Sequence, residues 1–90
     1  MYRTDAATRE TKFEMAGPSA REVFLECFNE QNALRVPMKR AQSRWTVRLA
    51  LPMGLFFYRF HVDGRPCWDR DSGKVNAGNG VRYSLALINR

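Results

Sequence analysis

Large apolar side chains recur at every second residue through five stretches of this chain. The alternating positions are Phe13 and Met15; Val23, Leu25 and Cys27; Trp45, Val47, Leu49 and Leu51; Phe56, Tyr58, Phe60 and Val62; and Tyr83, Leu85 and Leu87. A period of two is typical of a half-buried β-strand, because successive side chains of a strand point to opposite faces of the sheet. The pattern therefore predicts strands that each bury one face, not amphipathic helices.

Turn-forming residues separate these stretches. They are Gly17-Pro18-Ser19, Pro52-Met53-Gly54 and Asp63-Gly64. Asp-Gly is a strong signal for a two-residue hairpin, since glycine supplies the positive φ that such a turn requires. Short strands spaced by about 8–12 residues are typical of a sandwich. We therefore predict an all-β antiparallel sandwich of about seven strands, with Trp45 in its core.

The chain is expected to form a single domain, because 90 residues fall within the size of one domain. Residues 1–10 lack periodicity and are predicted to form a flexible N-terminal arm before the domain at residues 11–90. Two further segments, 29–35 and 69–80, are polar and are predicted to be loops.

No secretory signal is expected, because residues 1–12 contain no apolar segment. The longest apolar run, residues 49–58, is interrupted by Pro52 and Gly54 and is shorter than the roughly 18 residues of a membrane span. These features predict a cytoplasmic protein that does not associate with a membrane. Cys27 and Cys67 are too few for a disulfide framework and are expected to be reduced and mostly buried.

No catalytic, metal or cofactor site is predicted. His61 is the single histidine, and no serine or cysteine lies at a motif spacing from it. Asp69 and Asp71 are separated by one residue in a glycine-rich segment, where aspartates more often cap turns. Residues 76–80 are rich in Gly and Asn but lack the Lys-Ser/Thr of a phosphate-binding loop. We therefore expect that the chain is not an enzyme.

The net charge of +6 suggests nucleic-acid binding as one alternative. Lys39, Arg40 and Arg44 cluster in one segment, and Arg65 and Arg70 in another. The cationic residues are nevertheless spread over the whole chain and no nucleic-acid motif is present, so a solvated basic surface is the simpler interpretation.

One string of residues is specific enough to indicate a family: Leu51-Pro52-Met53-Gly54 followed by Tyr58-Arg59-Phe60-His61-Val62-Asp63-Gly64. Together with the order of strands and turns from about Phe13 to Leu87, it resembles the early-set glycogen-binding domain, carbohydrate-binding module family 48. This family occurs in the β subunit of AMP-activated protein kinase and in isoamylases and branching enzymes. It implies an immunoglobulin-like (early-set) sandwich that stands alone, because 90 residues leave no room for a catalytic barrel.

The resemblance also implies where a glucan would bind. Members that bind glycogen-like glucans place tryptophans where this chain has Gln31 and Pro66, whereas Arg59 keeps the basic residue of the strand before Asp-Gly. The family's ligand-contacting asparagine in the last strand falls on Tyr83, followed by the matching Ser84. The candidate site residues are Trp68, Phe57 and Tyr83 as a substitute aromatic platform, Arg59 as a donor to sugar hydroxyls, and Asn76 and Asn79 as loop contacts. The alternative is that Trp68 covers the open end of the sandwich and Phe57 is a half-exposed sheet residue.

Two main hypotheses follow for function. The first is a non-catalytic carbohydrate-binding module with weak or altered affinity for α-glucan oligosaccharides or polysaccharides. The second is a protein-interaction or regulatory early-set module that has lost sugar binding; its partner would be a glucan-metabolising enzyme, contacted through Phe24, Phe57 and the aromatic loop. The third hypothesis, which is less favoured, is non-specific nucleic-acid binding through the basic surface.

Overall fold

The structure is a computed structural model. In the residues that it describes, the regular secondary structure consists of antiparallel strands. These residues are 2–17, 19–69, 74–76 and 82–88, with only the backbone described at 74–76 and 82. Within these residues there are ten strands: β1 (Tyr2–Asp5), β2 (Glu10–Ala16), β3 (Val23–Phe28), β4 (Ala33–Pro37), β5 (Lys39–Ala41), β6 (Arg44–Leu49), β7 (Gly54–Val62), β8 (Arg65–Cys67), β9 (Lys74–Asn76) and β10 (Arg82–Ile88). No helix in this part of the chain is long and apolar enough to cross a membrane.

The strands form two sheets that pack face to face. The first sheet has the order β1-β2-β6-β5, and the second has the order β4-β3-β7-β10-β9, with β8 also paired to β7. Side chains at alternate positions fill the space between the sheets, and Phe13, Leu25, Phe56 and Tyr58 are fully buried there. The predicted all-β, immunoglobulin-like sandwich is confirmed, with Trp45 in its core.

The predicted Asp63-Gly64 hairpin joins β7 to β8. Both residues have positive φ angles, 50° and 83°, and Val62 pairs with Arg65 across the turn. Glycine adopts such angles without steric cost, and aspartate tolerates them better than most residues. The turn therefore fixes where β7 ends.

Both segments predicted as loops contain strand residues, because residues 33–35 of the first belong to β4 and residues 74–76 of the second form β9. The Asn29 side chain accepts hydrogen bonds from the backbone N–H groups of Gln31 and Asn32, and the Asn29 N–H donates to the carbonyl of Asn32. This turn uses only four residues, so the chain re-enters the sheet at Ala33 as β4. Leu34 and Val36 then lie opposite Cys27 and Leu25 and pack against the core.

Residues Tyr2–Asp5 form strand β1 and not the expected arm. The Tyr2 ring lies 6.2 Å from that of Phe13 and 5.9 Å from that of Tyr58, and its hydroxyl accepts a hydrogen bond from the N–H of Leu87. One aromatic anchor therefore places the N-terminal segment on the first sheet, although the segment has no apolar alternation of its own.

The face of β10 that contacts the core carries Ser84, Ala86 and Ile88, and not Leu85 and Leu87 as their alternation suggested. Ser84 lies opposite Tyr58 and Ala86 opposite Phe56, and both small residues are fully buried. Leu87 is instead 52% exposed. The reason is volume, because the rings of β7 already fill this part of the core and leave room only for small side chains opposite them.

The two thiols lie in different environments. Both cysteines are unpaired thiols, as expected, but Cys67 is exposed while Cys27 is buried. Burial raises the pKa of the Cys27 thiol to about 12. The Cys27 thiol therefore stays protonated at neutral pH and packs as a small apolar group.

Candidate functional site

The outer face of the second sheet carries an uneven mixture of aromatic and charged side chains. Register places Glu26 of β3 opposite Arg59 of β7, and Phe28 opposite Phe57. These residues alternate with the core residues of the same strands, so all of them lie on the face away from the first sheet. We name this surface the outer face.

Glu26 lies at the centre of the polar part of the outer face. Its Oε1 accepts a hydrogen bond from Arg59 Nε at 2.7 Å and lies 2.8 Å from His61 Nε2. Burial raises the pKa of Glu26, but the hydrogen bonds and charges of Arg59 and His61 outweigh burial, and the pKa falls below its usual value. The carboxylate is therefore ionised at neutral pH and holds both β7 side chains in place.

Three rings form the aromatic part of the outer face. Phe28 and Phe57 are stacked, with centroids 5.5 Å apart and planes inclined by 23°, and Tyr83 meets the Phe28 ring edge-on at 4.9 Å. The guanidinium of Arg59 lies 4.7 Å from the Tyr83 centroid, and Tyr83 is only 6% exposed. Arg59 thus covers Tyr83, while the half-buried Phe28 and Phe57 present the accessible aromatic surface.

Two grooves adjoin this stacked pair of rings. The first groove, of about 490 Å³, is lined by Glu26, Phe28, Asn29, Ala33, Leu34, Arg35, Arg59, His61 and Tyr83. The second groove, of about 560 Å³, is lined by Phe28, Asn29, Glu30, Gln31, Met53, Gly54, Leu55 and Phe57. Since Phe28 and Asn29 line both, the grooves form one continuous surface with the aromatic pair in the middle.

The structure brings together three of the predicted site residues and separates one. Phe57, Arg59 and Tyr83 lie side by side on the outer face. Trp68 lies elsewhere and lines a different groove, of about 460 Å³, with Met15, Phe60 and others. Strand β8 ends before Trp68, so the alternation that places Pro66 opposite His61 does not continue to it.

The two predicted loop contacts lie at the limit of the described residues. Asn76 is the last residue of β9, and its backbone pairs with Arg82, whereas Val75 pairs with Tyr83. The side chain of Asn76 and all of Asn79 lie outside the described residues. Gln31, at a position of the family's tryptophans, is exposed in the turn between β3 and β4.

Glu26 and Phe28 are functional candidates that the sequence analysis did not select. The available signal was their alternation with the buried Leu25 and Cys27, which places them on the outer face of β3. Their partners Arg59 and Phe57 are more than 25 residues away in sequence and are defined only by the β3–β7 register. Within the described residues, no three His, Cys, Asp or Glu side chains come close enough to hold a metal ion.

Comparisons with known proteins give structural neighbours only. No protein-family model and no curated protein match the chain. Among solved structures, it is similar to pullulanase from Paenibacillus barengoltzii in complex with maltohexaose and α-cyclodextrin, with a TM-score of 0.68 and 26% identity. The apo form and a mutant complexed with maltotetraose give TM-scores of 0.63 and 25% identity.

Each match covers 92% of this chain but only 14% of the pullulanase chain. The chain is thus similar to a small part of these enzymes. That similarity is consistent with a carbohydrate-binding or early-set domain of a glucan-active enzyme. The small share of the pullulanase chain that is matched is consistent with a domain that is not catalytic.

Proposed function

We propose that the chain is a non-catalytic module of the family 48 type that binds α-glucan chains on its outer face. The observation that carries this proposal is the stacked, half-buried pair of Phe28 and Phe57, of which Phe28 lines both grooves and Phe57 lines the second. The similarity to pullulanases, one of them in complex with maltohexaose, supports the substrate class.

The chemistry of a glucose ring fits this surface. Its C–H face packs on an aromatic ring, while the hydroxyls at its rim need fixed polar partners. Arg59 is held in position by Glu26 and offers N–H donors beside the rings. Asn29, common to both grooves, adds an amide at the junction. Two phenylalanines offer less surface than tryptophans, so the affinity is weak.

The test is a titration of the isotope-labelled chain with maltoheptaose, followed by amide chemical shifts. Wild type should show shifts confined to β3, β7 and the turn between β3 and β4. Phe57→Ala should weaken binding by about fivefold or more, equivalent to about 1 kcal/mol of lost contact. Leu87→Ala is the matched control, because it removes an exposed apolar side chain from the same face outside both grooves. Equal affinities of wild type and Phe57→Ala would refute this site.

Trp68 gives an independent check of where the sugar binds. Because it lines a separate groove with Phe60 and Cys67, Trp68→Ala should leave the maltoheptaose affinity unchanged. If Trp68→Ala keeps the fold but abolishes binding, the sugar site lies in that groove and the outer-face assignment is wrong.

A second candidate function is docking of a glucan-metabolising enzyme. The observation that favours it is a group of exposed apolar side chains at one end of the outer face: Met53 is 65% exposed, Leu55 50% and Leu87 52%. Leu87→Asp should then weaken co-sedimentation with such an enzyme and leave the maltoheptaose affinity unchanged. Met53 and Leu55 also line the second groove, whereas Leu87 does not, so loss of sugar binding in this variant would mean that the sugar surface extends to Leu87.

A further inference from the structure

The first groove contains more positive than negative charge. Arg35, Arg59 and His61 line it together with a single carboxylate, Glu26. Arg59 and His61 both engage Glu26 through the same oxygen atom, Oε1. One guanidinium and one carboxylate thus neutralise each other within the groove wall.

Arg35 is the remaining cation of the first groove, because it takes no part in this pairing. It lies directly opposite Glu26 across the β3–β4 pair, yet its guanidinium packs over the Phe24 ring, 5.3 Å from the centroid. Among the described residues it forms no ion pair, and it is exposed on β4 at the edge of the sheet. The groove therefore has, at its open side, a guanidinium that no described carboxylate pairs with.

A guanidinium that already packs over a ring loses less freedom when it binds an anion than a fully solvated one does. It matches the paired oxygens of a phosphate ester better than the single hydroxyl of a neutral sugar. Phe28, on which a sugar ring would stack, lines the same groove as Arg35. A sugar ring on Phe28 and a group held by Arg35 would therefore occupy the same groove.

We propose that the outer face prefers α-glucans that carry a phosphate ester, and that Arg35 determines this preference. The proposal rests on the proposed glucan-binding function and names its substrate class. It assigns to Arg35 a role in specificity that is separate from the stacking role of Phe57.

The experiment compares maltose with maltose 1-phosphate by chemical-shift titration at low ionic strength, with maltoheptaose and inorganic phosphate as further ligands. Wild type should bind maltose 1-phosphate about tenfold more tightly than maltose, the effect of one charge-assisted contact. The difference should shrink as salt is added, because the contact is partly exposed. Arg35→Gln should remove the difference and keep the maltoheptaose affinity within about twofold.

Arg48→Gln is the control variant, because it makes the same charge change at an exposed position on the other sheet. It should keep the preference for the phosphorylated sugar. Equal loss in Arg48→Gln and Arg35→Gln would mean that net charge alone attracts the ligand, which overturns the assignment of Arg35. Inorganic phosphate that binds as tightly as maltose 1-phosphate would overturn it as well.

The outcomes separate this inference from the function on which it rests. If maltoheptaose binds and maltose 1-phosphate shows no advantage over maltose, the phosphate preference is wrong and glucan binding stands. If maltose 1-phosphate binds and maltoheptaose does not, the preference is supported and the module is specific for phosphorylated chains. If neither binds, both proposals fail.

Discussion

Asp63 connects two parts of the chain that lie far apart in sequence. Its Oδ1 accepts hydrogen bonds from the backbone N–H groups of Arg21 and Glu22, at 2.9 and 2.8 Å, and its own N–H donates to the carbonyl of Glu22. The hairpin between β7 and β8 is thereby tied to the segment that leads into β3. At the scale of the single residue, the Asp63 side chain therefore both shapes the turn and holds the segment before β3 against it.

Replacing Asp63 should separate the two contributions of this side chain. Asp63→Ala loses both hydrogen bonds and places alanine at a positive φ, so we expect a loss of about 2–4 kcal/mol in the free energy of unfolding. Asp63→Asn keeps the acceptor oxygen and tolerates the backbone angle, and should lose about 1 kcal/mol. Urea denaturation of the three proteins measures both. Similar losses for the two variants would show that the charge, not the acceptor geometry, matters.

Local sequence signals predicted single residues well when the signal was complete within a few positions. Asp63-Gly64 specified its hairpin, and Trp45 was placed in the core by the alternation around it. Glu26 was not selected, because its role depends on the register of β3 with β7, which pairs it with Arg59, 33 residues later in the sequence. The candidate site was therefore predictable on β7 and not on β3.

At the scale of the strand, β10 shows that side-chain size alone does not decide which face is buried. Its large residues follow the alternation of a buried strand, and the sequence suggested that they face the core. The neighbouring strand decides otherwise, because Phe56 and Tyr58 of β7 occupy the space that Leu85 and Leu87 would need. Such a choice depends on volumes summed over several strands, which one strand's pattern does not contain.

This orientation of β10 predicts opposite sensitivities on its two faces. Ala86→Leu forces a larger side chain against Phe56 in a filled core, so the free energy of unfolding should fall by about 1–3 kcal/mol. Leu87→Ala, on the exposed face, should change it by no more than about 0.5 kcal/mol. Urea denaturation measures both variants. The reverse ranking would mean that β10 buries the face of Leu87.

At the scale of the whole molecule, each sheet has on its outer face a carboxylate that is bound by two basic side chains. On the second sheet it is Glu26, and on the first it is Glu14, whose carboxylate bonds Arg44 Nε at 2.9 Å and lies 3.6 Å from Lys12 Nζ. Burial raises the pKa of Glu14, but the hydrogen bonds and charges of Arg44 and Lys12 outweigh it and the pKa is lowered. In a chain of net charge +6, these two carboxylates offset repulsion on both surfaces.

The lowered pKa values make folding stability depend on pH on the acid side. In an unfolded chain, the pKa of a glutamate side chain is about 4.3. Above that pH both carboxylates are ionised in the folded and in the unfolded state, and their stabilisation is complete. As the pH falls through the lower pKa values of the folded state, the folded protein must take up protons and the stabilisation is lost. The loss is at most about 1.4 kcal/mol per pH unit for each group. The double variant Glu14→Gln/Glu26→Gln should therefore be less stable than wild type at pH 7, and the difference should narrow below about pH 4.5. Urea denaturation at a series of pH values measures it, with Glu30→Gln as the exposed control. A difference that stays constant from pH 7 to pH 3 would mean that the two glutamates act through packing and not through their charge.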